Sequence, residues 1–214
     1  DPILPAVITA TGTLSSLSTI YGTATASTSF SVSGTNMNAG ISVTPPAGFE
    51  VSTDNTNFRP TETIGTSGTI NATRIYVRLT SQTPVGSYSG NIVLSSSGAT
   101  SAVVSIPVSV VNPAVLTITA NNVQKSYGQT LTSGTVSTGF TANGLQNNET
   151  IGNVFIAYNS GAGPSDKAGT YAGSVVPSDV SGGSCNPKKY TITYQSGDII
   201  VSDGLPNQPI AIPN

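Results

Sequence analysis

Acid–base catalysis needs two titratable groups held together where water is scarce. The 214-residue chain offers Glu50, Asp54, Glu62, Glu149, Asp166, Asp179, Asp198 and Asp203 as internal carboxylates. They are scattered, and no spacing pairs two of them. There is no His, so Ser-His-Asp catalysis, Cys-His catalysis and an imidazole metal site are excluded within this chain. The single Cys, Cys185, can form no internal disulfide. It lies in Gly182-Gly183-Ser184-Cys185-Asn186-Pro187, which reads as a loop, and is either a bystander or an intermolecular link. The expectation is a chain with no catalytic residues and no bound cofactor.

Three clusters remain as candidate sites. Glu50 with Asp54, Asn55 and Asn57 gathers oxygen ligands of the kind calcium takes, six to eight at a time. The same residues also read as an Asx-rich hairpin turn, since Asp and Asn side chains bond their own backbone. Arg74, Tyr76 and Arg78 alternate along one run and form a basic-aromatic stripe. It either stacks on a sugar or acidic partner, or is an exposed sheet face covered by its long side chains. The lysines Lys125, Lys167, Lys188 and Lys189 raise an internal Lys-Asn crosslink, which needs a buried Lys beside Asn and a carboxylate.

The elements that would position these groups are strands. In Thr73–Leu79, Ile75, Val77 and Leu79 point one way while Arg74, Tyr76 and Arg78 point the other, the period of a half-buried strand. Val104, Ile106, Val108 and Val110 suggest a second alternating face, with Pro107 opposite and favouring an edge. Further strands are expected at 7–11, 27–32, 41–44, 49–52 and 90–94, then at 115–119, 139–143, 154–158, 169–176, 190–194 and 198–201. Gly, Pro and Asn clusters between them, such as Pro45-Pro46-Ala47-Gly48, read as turns. No stretch carries helical periodicity. The fold class expected is all-β, two tandem Ig-like Greek-key β-sandwiches.

An internal echo supports two related modules. Gly86-Ser87-Tyr88 matches Gly169-Thr170-Tyr171. Ile8-Thr9-Ala10 followed by Tyr21-Gly22 parallels Ile118-Thr119-Ala120 followed by Tyr127-Gly128. Tyr88 and Tyr171 are expected to be structural, each with a buried ring and a hydroxyl bonded to nearby backbone. The modules are placed at 1–112 and 113–202, joined by a short stiff linker near Pro113. Residues 203–214 form a Pro-rich linker or tail. Within it, Pro209-Ile210-Ala211-Ile212 is a candidate for pairing with an exposed edge of another copy.

Composition narrows the partners. Only 7% of residues are charged, against about 25% in a typical domain. A net charge of −2 argues against a nucleic-acid surface. No apolar run reaches the ~20 residues of a spanning helix, so membrane insertion is not expected. The chain begins at Asp1 and is read as a processed product or an excised piece.

From Leu116 onward the residues resemble a known module. Leu116-Thr117-Ile118-Thr119-Ala120, Lys125-Ser126-Tyr127-Gly128, Ala168-Gly169-Thr170-Tyr171, Tyr190–Tyr194 and Gly197–Val201 are similar to the mostly-bacterial Ig-like (MBG) domain. The first half, through Phe30–Asn36, Pro46–Ser52 and Ile75–Leu79, is similar to Ig-like modules that accompany such arrays. The resemblance implies a sandwich repeated in large exported proteins, frequently of Bacteroidetes, with no catalytic residues to carry over. The reading is therefore a spacer or stalk segment of an extracellular, cell-surface adhesin or exported multidomain protein. Its partners would be neighbouring modules of the same polypeptide or other copies of itself. The alternatives are a module that binds a surface glycan or protein, and a subunit of a self-assembling filament built by strand addition.

Overall fold

The structure is a computed structural model that describes residues 4–203. It is all-β apart from one 3-10 turn, Pro187–Lys189. The chain divides into two compact units between Ala114 and Val115. Each contains two sheets, and no sheet draws strands from both sides of the Pro113 junction.

The first unit contains β1 (Val7–Thr11), β2 (Ser18–Ile20), β3 (Thr28–Met37), β4 (Ile41–Thr44), β5 (Phe49–Ser52), β6 (Glu62–Ile64), β7 (Gly68–Leu79), β8 (Gly86–Ser95) and β9 (Ala102–Asn112). One sheet has the order β1-β3-β7-β5, the other β2-β9-β8-β4-β6. The alternation read in β7 is what places it at the centre. Ile75, Val77 and Leu79 are fully buried, against a core of Phe30, Val32, Ile41, Val43, Ile92 and Leu94. Arg74, Tyr76 and Arg78 lie on the opposite face, with Arg74 exposed and the other two half-buried.

In β9 the expected alternation fails. Ile106 is buried but Val108 is 61% exposed, while Ser109 and Val111 are buried. The cause is a bulge. Gly90 pairs with Ile106 and Tyr88 with Ser109, so β9 spends one more residue than β8 between these pairs. An extra residue reverses the side-chain phase. Pro107 sits in that bulge, upstream of the β2 pairing that begins at Val110, where its missing N–H costs no ladder bond.

The second unit contains β10 (Ala114–Ala120), β11 (Val123–Ser126), β12 (Gly134–Val136), β13 (Phe140–Asn143), β14 (Ile151–Tyr158), β15 (Gly169–Gly183), β16 (Tyr190–Gln195) and β17 (Gly197–Ser202). Its sheets have the orders β13-β10-β16 and β11-β17-β15-β14-β12. Here the smaller sheet has the unit's first strand at its centre, whereas in the first unit β1 is at the edge. Gly182 and Gly183, expected in a loop, close β15, and the loop begins only at Ser184. A single residue, Pro113, lies between β9 and β10, so the residues read as linker on either side of it are strand.

Both units use one device. The first strand pairs antiparallel in one sheet (β1 with β3, β10 with β13). The chain then crosses, and its next strand pairs parallel with the last strand of the other sheet (β2 with β9, β11 with β17). The Tyr-Gly echo marks the end of that parallel ladder. Tyr21 N–H donates to Asn112 O at 2.9 Å, and Tyr127 N–H to Ser202 O at 2.8 Å. Gly22 and Gly128 follow at φ +91° and +88°, a conformation that favours glycine, and turn the chain away.

Candidate functional site

At one end of the β3-β7-β5 face of the first unit, Glu50, Arg78 and Phe58 come together. Glu50 on β5 lies directly opposite Arg78 on β7, and Arg78 Nε donates to Glu50 Oε1 at 2.7 Å. The guanidinium carbon is 3.8 Å from the centroid of the Phe58 ring. Phe58 comes from the segment after β5, which the pairing of Val51 with Arg59 folds back (Val51 N–H to Arg59 O 2.9 Å, Arg59 N–H to Val51 O 2.8 Å). Members of two separate sequence clusters thus meet, the acid of one neutralising an arginine of the other.

The loop that carries Phe58 is built around Asp54. Its Oδ1 accepts from Ser52 Oγ, Thr56 N–H and Asn57 N–H, each at 2.8 Å, and its Oδ2 from Asn57 Nδ2 at 2.7 Å. These bonds favour the ionised form. The Asn57 backbone and amide donors come first, then Thr56 and Ser52, and together they hold the carboxyl well below the usual carboxylate range. Asn55 takes φ +59°, and its Oδ1 accepts from Ser27 Oγ at 2.6 Å. Of the oxygens read as possible calcium ligands, Glu50 Oε1 accepts from Arg78, both Asp54 oxygens from their own turn and Asn55 Oδ1 from Ser27. Among the described residues no three His, Cys, Asp or Glu side chains come together as a metal site.

Between this loop and the start of β3 is a cavity of about 320 Å³, lined by Thr25, Ala26, Ser27, Asn55, Phe58 and Arg78. Only Asn55 and Arg78 were singled out in the sequence. Phe58 had a signal, as the lone aromatic in the polar run Ser52–Pro60. Thr25 and Ser27 had none, because they reach the site only through the β3–β7 register. Arg74 and Tyr76 do not join it. They pair across to Ser31 and Ser29 on the open sheet face.

The two echoed tyrosines make the same bond. Tyr88 donates its hydroxyl to Pro84 O at 2.8 Å and Tyr171 to Lys167 O at 3.0 Å, four residues back in each case. Their rings are half-buried. Each is packed by a glycine at positive φ. A Cβ on Gly48 would come within 2.9 Å of the Tyr88 ring, and one on Gly161 within 2.6 Å of Tyr171.

The second unit has its own polar cluster. Glu149 Oε1 accepts from Lys189 Nζ at 2.8 Å, and Glu149 Oε2 from the Tyr190 hydroxyl at 2.5 Å, which itself accepts from Gln146 N–H. Burial, then the bond to Glu149, raises the Tyr190 hydroxyl above its ordinary range. Burial likewise raises the nearby Cys185 thiol, away from the reactive thiolate. Lys125 is buried, and its ammonium donates to the main-chain carbonyls of Gln129 and Gly163 at 2.9 and 2.7 Å. That ties β11 to the 159–168 loop. Residues 204–214, including the proposed pairing segment Pro209–Ile212, lie outside the described residues.

No curated protein matches the chain. It is similar to a solved structure titled "The Bacillus anthracis TIE protein", at 13% identity and a TM-score of 0.28, over 92% of this chain and 41% of that one. The chain therefore spans less than half the length of that protein. Residues 116–199 match the family model of the MBG domain (YGX type), a span that includes the Tyr127-Gly128 pair closing the β11 ladder. That match covers 84 of the 214 residues and lies wholly within the second unit.

Proposed function

We propose that this chain is a non-catalytic stalk segment, a spacer within a bacterial cell-surface adhesin or exported multidomain protein. The MBG domain points to an extracellular surface-protein module. No helix among the described residues is long and apolar enough to cross a membrane. One observation carries the structural reading. The described carboxylates from Glu50 to Asp198 all engage in internal bonds. Glu50, Glu62 and Glu149 pair with Arg78, Arg59 and Lys189. Asp54 and Asp166 tie their own loops, Asp179 accepts from Ser178, and Asp198 accepts from Gly173 N–H. Groups used this way brace turns and strand pairs.

The spacer reading is tested by stretching single molecules of the whole chain between its ends. Each unit is expected to resist and then unfold in one step of its own, as a module under tension does. A chain that extends without resisting would refute the spacer reading.

A further inference from the structure

We infer that the cavity between Arg78, Phe58 and Asn55 is a binding site for one residue of a neutral saccharide. At about 320 Å³ it falls in the lower range of ligand pockets. Two donor groups on its walls have no partner among the described residues. Arg78 uses Nε on Glu50 and its flat face on Phe58, which leaves both terminal nitrogens of its fork. Asn55 uses its carbonyl on Ser27, which leaves both N–H bonds of its amide. A fork and an amide on one concavity suit adjacent hydroxyl oxygens, as on a sugar ring. The Ser27 hydroxyl oxygen supplies an acceptor for the sugar's own protons.

Charge decides the class. Arg78 is already neutralised by Glu50, and the ionised Asp54 stands in the same loop. A carboxylate or sulfate ligand would bring a further negative charge to one shared guanidinium, so a neutral ligand is favoured. The site is also set before any ligand arrives. Four bonds to Asp54 hold the loop, and the Val51–Arg59 pairing anchors its end.

The test is an amide-shift titration of the whole chain with methyl glycosides of glucose, galactose, mannose and N-acetylglucosamine, with glucuronate as the charged comparator. At least one neutral glycoside is expected to bind in the millimolar range, about −4 kcal/mol or weaker. Its shifts should centre on Ser27, Asn55, Phe58 and Arg78. Asn55→Gly keeps the left-handed backbone but removes the amide, and should weaken binding about tenfold. Arg78→Lys keeps the charge pair but removes the fork, and serves equally if the first variant does not fold. The inference is overturned by no shifts from any neutral glycoside at about 50 mM, by tighter binding of glucuronate, or by undiminished binding in a folded variant.

Discussion

Asp54 shows how one side chain can organise a loop that looks like a metal site in sequence. An Asp followed by Asn, Thr and Asn supplies oxygens at close spacing, and composition alone cannot tell ligands from hydrogen-bond acceptors. In the structure both Asp54 oxygens accept from donors of the same turn. A consequence in acid follows. The folded carboxyl has its pKa lowered, so the stability it contributes is present above its unfolded value near ~4 and is lost as pH falls below that. Asp54→Asn keeps a side-chain acceptor but cannot titrate. The melting-temperature gap between wild type and this variant should therefore be largest near neutrality and narrow between about pH 5 and about pH 2. A gap that stays constant with pH would show that ionised Asp54 does not brace the loop. The stacking of Phe58 on Arg78 was not legible in the sequence. It joins residues 20 apart whose meeting depends on the β5–β7 register.

At the scale of elements, the strands that sequence patterning missed share one place in the fold. β2, β6, β11 and β12 are three or four residues long, and they form the four outer edges of the two five-stranded sheets. Short edges are how sheets avoid pairing with other chains, and three residues are too few to display alternation. Central strands such as β7 were legible because both their neighbours and the core enforce the period. The β9 bulge was not, since one inserted residue leaves an apparently unbroken run of valines on the wrong face. The sheet-switching corners also left little trace. Gly197, the first residue of β17, sits against the β10–β11 corner, where a Cβ would lie 2.7 Å from both Ala120 O and Asn121 O. Backbone oxygens cannot rotate aside as a side-chain tip can. Gly197→Ala should cost about 2 kcal/mol, read by urea denaturation followed by circular dichroism. A cost below about 0.5 kcal/mol would mean that the two corners have room to separate.

Over the whole molecule, the units divide apolar burial unequally. The first buries about twice as many large apolar side chains as the second, including Phe30, Met37, Phe49, Ile75, Leu79 and Leu94. Each is worth roughly 1.5–3 kcal/mol when fully buried. The second unit depends on a shorter set, Leu116, Ile118, Val154, Ile156, Val175, Ile199 and Val201, supplemented by the Lys125 bonds and the Glu149–Lys189–Tyr190 cluster. Net gains from such polar contacts are smaller, about 1 kcal/mol for an ordinary hydrogen bond. Because each sheet belongs to one unit, the two cores can melt separately. Calorimetry of the whole chain should then show two transitions, with the second unit unfolding at the lower temperature. Gly197→Ala provides the assignment, since it should move the lower transition down by several degrees and leave the upper one in place. A single transition that shifts as a whole in this variant would mean that the units unfold as one cooperative body, with stability passing through the one-residue junction at Pro113.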